Sequence, residues 1–499
     1  MIKFDLSSIG KWLFLGGCAI ATGCTAVEVS RLTPKPTPSP MASMDASPSD
    51  PFETALQVGY NAAVRVQTAR SIADWQAVCQ GWRQAISLLE SIPPSHPKQA
   101  IVAEKIREYQ RNLNYALDRL QADRSIAAET TTPQFLVVAG GGSPANNEVA
   151  IENNVLYFQR ILSVFGYDGN AATIFFANGN DSRNTVRYID EYGRERFKPP
   201  EIPDVRAAAT WENVANWLGE LARQNSDRPL FFYFTGHGIR NEKDFNNNSM
   251  MLWGERLVSV REFASQLDRL PVNKPVVAVM AQCFAGSFAN LIYESGNPNR
   301  PLAAQTRCGF FATVRENPAV GCTPAIDEST YEDYSTSFFA GLSGWSRTGE
   351  PVTSADYNRD GSVSYAEAHA FAKVDERTTD LPVSTSEIWL QNQLDPGQKE
   401  AILNRSMAEV ARSANPQQRY VVESLARELG FNLQRSYRQN QQAIALRNNI
   451  RIAFSKRLEM ELINIGAVRE LRSSGNTDKI ETLDRLSTCE AGTIANPQF

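Results

Sequence analysis

Two residues that together can break an acyl bond stand at equivalent places in this chain. Leu230-Phe231-Phe232-Tyr233-Phe234 is a continuous apolar run that leads through Thr235-Gly236 into His237-Gly238. Val276 to Met280 is a second such run, leading through Ala281-Gln282 into Cys283. An imidazole can take the proton of a thiol, and the thiolate is a strong nucleophile toward carbonyl carbon. The glycines beside His237 remove side chains that would block a substrate, and they leave peptide N–H groups to face a developing oxyanion. A thiol at a strand-to-helix junction also feels the positive end of the following helix, which lowers its pKa. Singly, an inert buried thiol or a satisfied core histidine is the ordinary explanation of each. Jointly, 46 positions apart, they read as a Cys/His dyad. Of the other two histidines, His96 sits in a proline turn and reads as solvated or capping, and His369 reads as structural.

A second constellation has a calcium pattern. Asp356, Asn358, Asp360, Ser364 and Glu367 fall at positions 1, 3, 5, 9 and 12 of a twelve-residue loop, with Gly361 at position 6 and Val363 at position 8. Carboxylates and amides supply hard oxygens, Ser362 would offer its backbone carbonyl, and the terminal Glu367 binds through both oxygens. Pro351 and Thr353 precede the loop, so a lone EF-hand-like calcium loop at 356–367 is expected rather than a paired sensor. Gly140-Gly141-Gly142-Ser143 lacks both the dinucleotide fingerprint and the Lys-Ser/Thr of a P-loop. It reads as a turn where backbone must clear the site.

The elements that must position the dyad are legible as short apolar runs at 135–139, 173–176, 230–234, 276–280 and 310–314. They alternate with helical periodicity at 149–164, 211–223, 260–270 and 287–293. This predicts an α/β fold with a mainly parallel sheet covered by helices on both faces, its site outside the carboxyl ends of the strands. All-helical regions flank it. One is a helical hairpin or bundle at 52–125, broken by Pro93, Pro94 and Pro97; the other is a long amphipathic region at 398–472, followed by a tail at 473–499. Either end could hold a protein partner.

Tyr233-Phe234-Thr235-Gly236-His237-Gly238 and Ala281-Gln282-Cys283-Phe284-Ala285-Gly286-Ser287-Phe288 resemble the two motifs of the caspase-fold cysteine peptidases, and most closely those of the legumain family. The likeness covers about half the chain and implies a caspase-like domain at 133–395. It makes Cys283 the nucleophile, His237 the general base and acid, and the peptide N–H groups of Gly238 and Cys283 the oxyanion hole. Asn146 matches the place where legumains hold an asparagine near the histidine. Asp333 and Ser335 match the segment lining the substrate pocket, and an acid there would favour a basic residue before the cut. Where legumains carry Arg, His and an acid for recognising asparagine, this chain has Glu148, Val149 and Ala281, so asparagine specificity does not transfer.

The start of the chain reads as an export signal. Lys3 and Lys11 precede an apolar stretch too short to span a bilayer, and small residues then lead to Cys18 and Cys24 in lipobox-like contexts. With Cys24 preferred as the lipidated residue, 1–24 is a lipoprotein-type signal peptide and 25–51 a Pro/Ser-rich tether. The protein is then expected in a bacterial cell envelope, held to the membrane by its lipid. Of the remaining cysteines, Cys79, Cys308, Cys322 and Cys489 allow three disulfide pairings if Cys283 stays reduced. The 499 residues carry 50 basic and 55 acidic side chains, net −5, which excludes a nucleic-acid footprint. The expected activity is a cysteine endopeptidase acting on polypeptide. The rivals are a catalytically silent, calcium-stabilised scaffold and a transpeptidase resolving the same acyl-enzyme with an amine.

Overall fold

The computed structural model describes residues 50–69, 72–224, 226–325, 327–444 and 447–494. The signal peptide, Cys24 and all but the end of the tether lie outside the described residues. Twelve strands occur in chain order among them: β1 (Gln134–Gly140), β2 (Ala172–Phe176), β3 (Val186–Ile189), β4 (Glu195–Lys198), β5 (Val205–Ala207), β6 (Leu230–Gly236), β7 (Gly238–Ile239), β8 (Ser249–Leu252), β9 (Arg256–Ser259), β10 (Val276–Ala281), β11 (Arg307–Phe311) and β12 (Val383–Ser384). Seven form the central sheet in the order β12-β11-β10-β6-β1-β2-β5. Every pairing in it is parallel except β11 with β12. The small β3-β4 and β7-β8-β9 sheets are antiparallel.

Alternation along each strand explains why both faces need helices. Phe135, Val137, Phe231, Tyr233, Val277 and Val279 point to one side and pack on the helices Val149–Val164, Tyr334–Ser343 and Tyr365–Asp375. Leu136, Val138, Phe232, Phe234, Ala278 and Met280 point to the other and meet Trp211–Arg223 and Val260–Leu267. Strands buried on both faces read as unbroken apolar runs. Phe158 lies with its ring centroid 5.3 Å from Tyr233 and 4.9 Å from Phe339, so aromatic packing seats β6 against two helices.

The N-terminal region is three helices, Pro51–Thr68, Ile72–Glu90 and Gln99–Thr131, with the break falling at the prolines. Its own core includes Trp75, Trp82 and Tyr109. His96 accepts from the Lys98 amide and meets Asp50, which caps the first helix.

The C-terminal region is several shorter helices, Pro396–Leu403, Met407–Ala411, Pro416–Leu429, Tyr437–Ala443 and Asn449–Ser473, because Asn415, Gly430 and Ser436 stop and restart the chain with caps. Its core, including Val422, Leu425 and Leu458, packs on Ala370 of the helix Tyr365–Asp375, so it joins the central domain. The segment read as a tail carries a helix, Thr477–Glu490, whose Cys489 is bonded to Cys308 of β11. Sequence spacing could not choose that partner, since the two cysteines are 181 residues apart.

Candidate functional site

The dyad is placed by strand register. Thr235 of β6 is aligned with Ala281 of β10, so His237 and Cys283 each follow their strand by the same two residues beyond aligned partners. Neighbouring parallel strands run about 4.8 Å apart, which sets the two residues side by side at the carboxyl edge of the sheet. Gly238 shows how close the backbones come: a Cβ there would sit 1.9 Å from the Cys283 carbonyl oxygen. No other residue fits. Phe284, immediately after the cysteine, adopts φ +59, a left-handed conformation that turns the chain sharply out of β10 into the 3-10 segment Ala285–Ile292.

His237 and Cys283 border one cavity of about 590 Å³. Ala319 to Thr323, Ala325, Asp327 and Thr330 to Glu332 form its other wall. Asn317 accepts from the Phe284 amide, the Ala319 amide donates to the Cys283 sulfur at 3.3 Å, and Val320 is held through its amide by Asp380 at 2.8 Å. Burial pushes the Cys283 thiol up, while the Ala319 amide and the neighbouring imidazole oppose that shift. Gln282 is 1% exposed, borders the same cavity, and has no hydrogen-bond partner for either amide atom among the described residues.

The tautomer of His237 follows from its partners. Its Nε2 lies 2.9 Å from the Asn146 carbonyl oxygen, which can only accept, so Nε2 carries a hydrogen. The same nitrogen lies 3.0 Å from Glu148 Oε2. Nδ1 is therefore the nitrogen left for proton transfer. Burial alone would lower the imidazole pKa, but the Cys322 sulfur and the Glu148 carboxylate outweigh it and push it up to about 11. Glu148 is itself buried, and Arg187 fixes its other oxygen at 2.7 Å.

Asn146 thus stands beside the histidine as expected, but through its backbone. Its side-chain oxygen accepts from the Ser143 amide. Asp333 and Ser335 are not brought into the cavity. Asp333 is 2% exposed and caps the helix Tyr334–Ser343. Its oxygens accept from the Thr336 amide and hydroxyl, Asn154, Tyr331 and Ser335. Ser335 accepts from the Tyr233 hydroxyl in the interior. An aspartate just before an apolar helical run is an N-cap signal, and capping explains the burial. The acids that do border the cavity are Asp327 and Glu332, and no Lys or Arg does so among the described residues.

Sequence reasoning missed Glu148 and Cys322 as members of the site. Glu148 was visible only as a departure from the legumain pattern. Nothing in the local sequence placed Cys322, because the loop carrying it has no periodic structure.

The 356–367 loop has the turn its pattern requires. Asp356 accepts from the Asp360 and Gly361 amides, Asn358 from the Asp360 amide, and Asp360 from the Ser362 amide, with Gly361 at φ +90. Ser364 caps the helix Tyr365–Asp375, and Glu367 reaches back to the Ser364, Tyr357 and Asn358 amides. These donors gather hard oxygens on one turn, a set that fits Ca2+. The helix before the loop is absent among the described residues, as Pro351 predicts. His369 is buried against Tyr334 and Glu387, a structural role.

No family model matches the chain, and no curated protein matches it. Among solved structures it is similar to protein GSU0716 from Geobacter sulfurreducens, at 11% identity and a TM-score of 0.31, over 50% of this chain and 92% of that one.

Proposed function

We propose that this protein is a caspase/legumain-like cysteine endopeptidase with a His237/Cys283 dyad. The observation that carries the reading is the shared cavity, where two adjacent parallel strands end in register on an imidazole and a thiol. The mostly parallel seven-stranded sheet is compatible with a caspase-like fold, and the His-Gly and Ala-Gln-Cys motifs support it.

The neutral ring of His237, which its raised pKa makes the minor form at neutral pH, takes the Cys283 proton at Nδ1, and the thiolate attacks the peptide carbonyl carbon. The imidazolium so formed is stabilised by Glu148, while the Asn146 carbonyl holds the ring. The oxyanion faces the peptide groups of Gly238 and Cys283. Collapse breaks the C–N bond, and the imidazolium gives its proton to the departing amine, leaving a thioester. Water, deprotonated by Nδ1, then releases the acid and restores the thiol. Gln282 offers its unpartnered amide to the bound peptide. Asp327 and Glu332, rather than Asp333, supply negative potential favouring a basic residue before the cut.

Ca2+ at Asp356, Asn358, Asp360, Ser362, Ser364 and Glu367 would stiffen the turn leading into the helix Tyr365–Asp375. Export with a lipid on Cys24, at a bacterial envelope, is supported by the Cys308–Cys489 disulfide, which suits an oxidising compartment.

The test is labelling by a peptidyl electrophile with a basic terminal residue. Modification of Cys283, lost in His237→Ala, is expected. Absence of labelling in the folded chain would overturn the peptidase reading in favour of a silent scaffold.

A further inference from the structure

A second set of ligands meets at the histidine, with Glu148 facing its Nε2. Glu148, His237 and Cys322 each present a donor atom, and these three atoms lie within 4.8 Å of one another. Carboxylate oxygen, imidazole nitrogen and thiolate sulfur are the three donor types that Zn2+ takes at about 2.0 to 2.3 Å. A tetrahedral ion at those bond lengths needs donors somewhat under 4 Å apart, so a small inward movement of the exposed Cys322 side chain closes the set. The other two ligands are already fixed. Glu148 is 4% exposed and locked by Arg187, leaving Oε2 toward the histidine, and His237 is placed by the end of β6, its Nε2 hydrogen bond to the Asn146 carbonyl giving way to the ion. Cys322 borders the cavity, so solvent can supply the fourth ligand and the ion has a path in.

We propose that Glu148, His237 and Cys322 form a Zn2+ site that shuts the neighbouring dyad. A thiolate with an imidazole selects a borderline-soft ion over Ca2+ or Mg2+. Binding releases the Cys322 thiol proton to solvent. It also displaces the Nε2 hydrogen to solvent and takes the lone pair so freed, which leaves the ring with its one remaining proton on Nδ1. With Nδ1 protonated, the ring no longer accepts the proton of Cys283, and the inhibition needs no contact between the ion and the nucleophile. The binding claim stands on these three residues alone. Its consequence for catalysis rests on the proposed dyad.

Titration of the full-length, thiol-reduced chain with Co2+ as the optical probe, then Zn2+ in competition, tests both parts. One equivalent of Co2+ should give a thiolate-to-metal charge-transfer band that Zn2+ removes. That band should vanish in Cys322→Ser and persist in Cys283→Ser. Zn2+ affinity should fall by roughly a hundredfold or more in Cys322→Ser and in Glu148→Gln, since loss of even an outer-shell partner costs 10–100-fold. Because Cys322 is exposed, its serine variant is expected to fold, and the circular dichroism spectrum checks it. A band that survives in Cys322→Ser, or one lost in Cys283→Ser, would overturn the site. Zn2+ binding as described, together with no electrophile labelling of the metal-free chain, would leave the site standing and remove the peptidase reading instead.

Discussion

Glu148→Gln separates an electrostatic partner from a spacer, because the amide keeps the shape of the carboxylate and removes its charge. At 3.0 Å from Nε2, and at an effective dielectric constant of about 20, the gross attraction for the imidazolium is about 5 kcal/mol. Arg187 shares the same carboxylate at 2.7 Å, and both partners have lost solvent, so a net effect of about 2 pKa units, or about 3 kcal/mol, is expected. The Cys322 sulfur still acts on the ring, so the pKa should drop from about 11 toward about 9 rather than to the ordinary value near 6.5. His237 is raised above its unfolded value, so the folded chain holds an extra proton between about pH 6.5 and 11. The stability it contributes is complete below about 6.5 and is lost as pH rises through 11; in the variant the loss should finish about two units earlier. With three histidines in the chain, ring-proton NMR in metal-free buffer can follow His237 directly, assigned by His237→Ala. The alkaline limb of Cys283 labelling should move with it. A wild-type His237 that titrates near 6.5, or one unmoved by Glu148→Gln, would refute the orientation assigned to the ring.

Gly238→Ala places a Cβ 1.9 Å from the Cys283 carbonyl oxygen, so the two strand ends must part; labelling of Cys283 should slow by roughly a hundredfold, measured as an alkylation rate constant. Replacing Cys308 and Cys489 together by alanine opens a bridge of 181 residues' separation and should lower unfolding free energy by about 2–5 kcal/mol in urea titrations. Ca2+ at a hundred times its dissociation constant should stabilise the wild-type chain by about 2.7 kcal/mol over a chelated sample, and Asp360→Ala, on an exposed loop side chain, should abolish the difference.

What the sequence made legible was what periodicity and strand ends can carry. The helices 149–164 and 211–223 lie where their apolar spacing put them, and β1, β2, β6 and β10 each contain the run predicted for them and extend one or two residues past it. Their ends located His237 and Cys283, because a parallel sheet presents functional residues at its carboxyl edge. The unread parts depend on loops. Strands β3, β4, β5 and β12 are two to four residues long, below the length at which alternation is distinguishable from noise. Glu148 acts on His237 from another element, and only the path of the loop after β1 brings it there. Asp333 was assigned to the pocket from its motif position, whereas the helix start that follows it makes a cap.

The C-terminal helices acquire a role from the same geometry. Arg457, fully buried on the helix Asn449–Ser473, donates to the carbonyls of Lys373, Glu376, Thr378 and Asp380. Those bonds fix the turn after the helix Tyr365–Asp375. That turn carries Asp380, whose carboxylate accepts from Val320, one residue beyond the Ala319 that flanks the Cys283 sulfur. Burial pushes Asp380 up, and its proximity to Glu376 adds to the shift, while Arg457, 3.6 Å from Glu376, opposes it. The wall of the cavity opposite the dyad is therefore held by Arg457, 137 residues beyond Val320 (457 minus 320). A long-range clamp of this kind explains why the last helices pack on the central domain instead of forming a module of their own. It also ties the shape of the cavity to the stability of the whole C-terminal half.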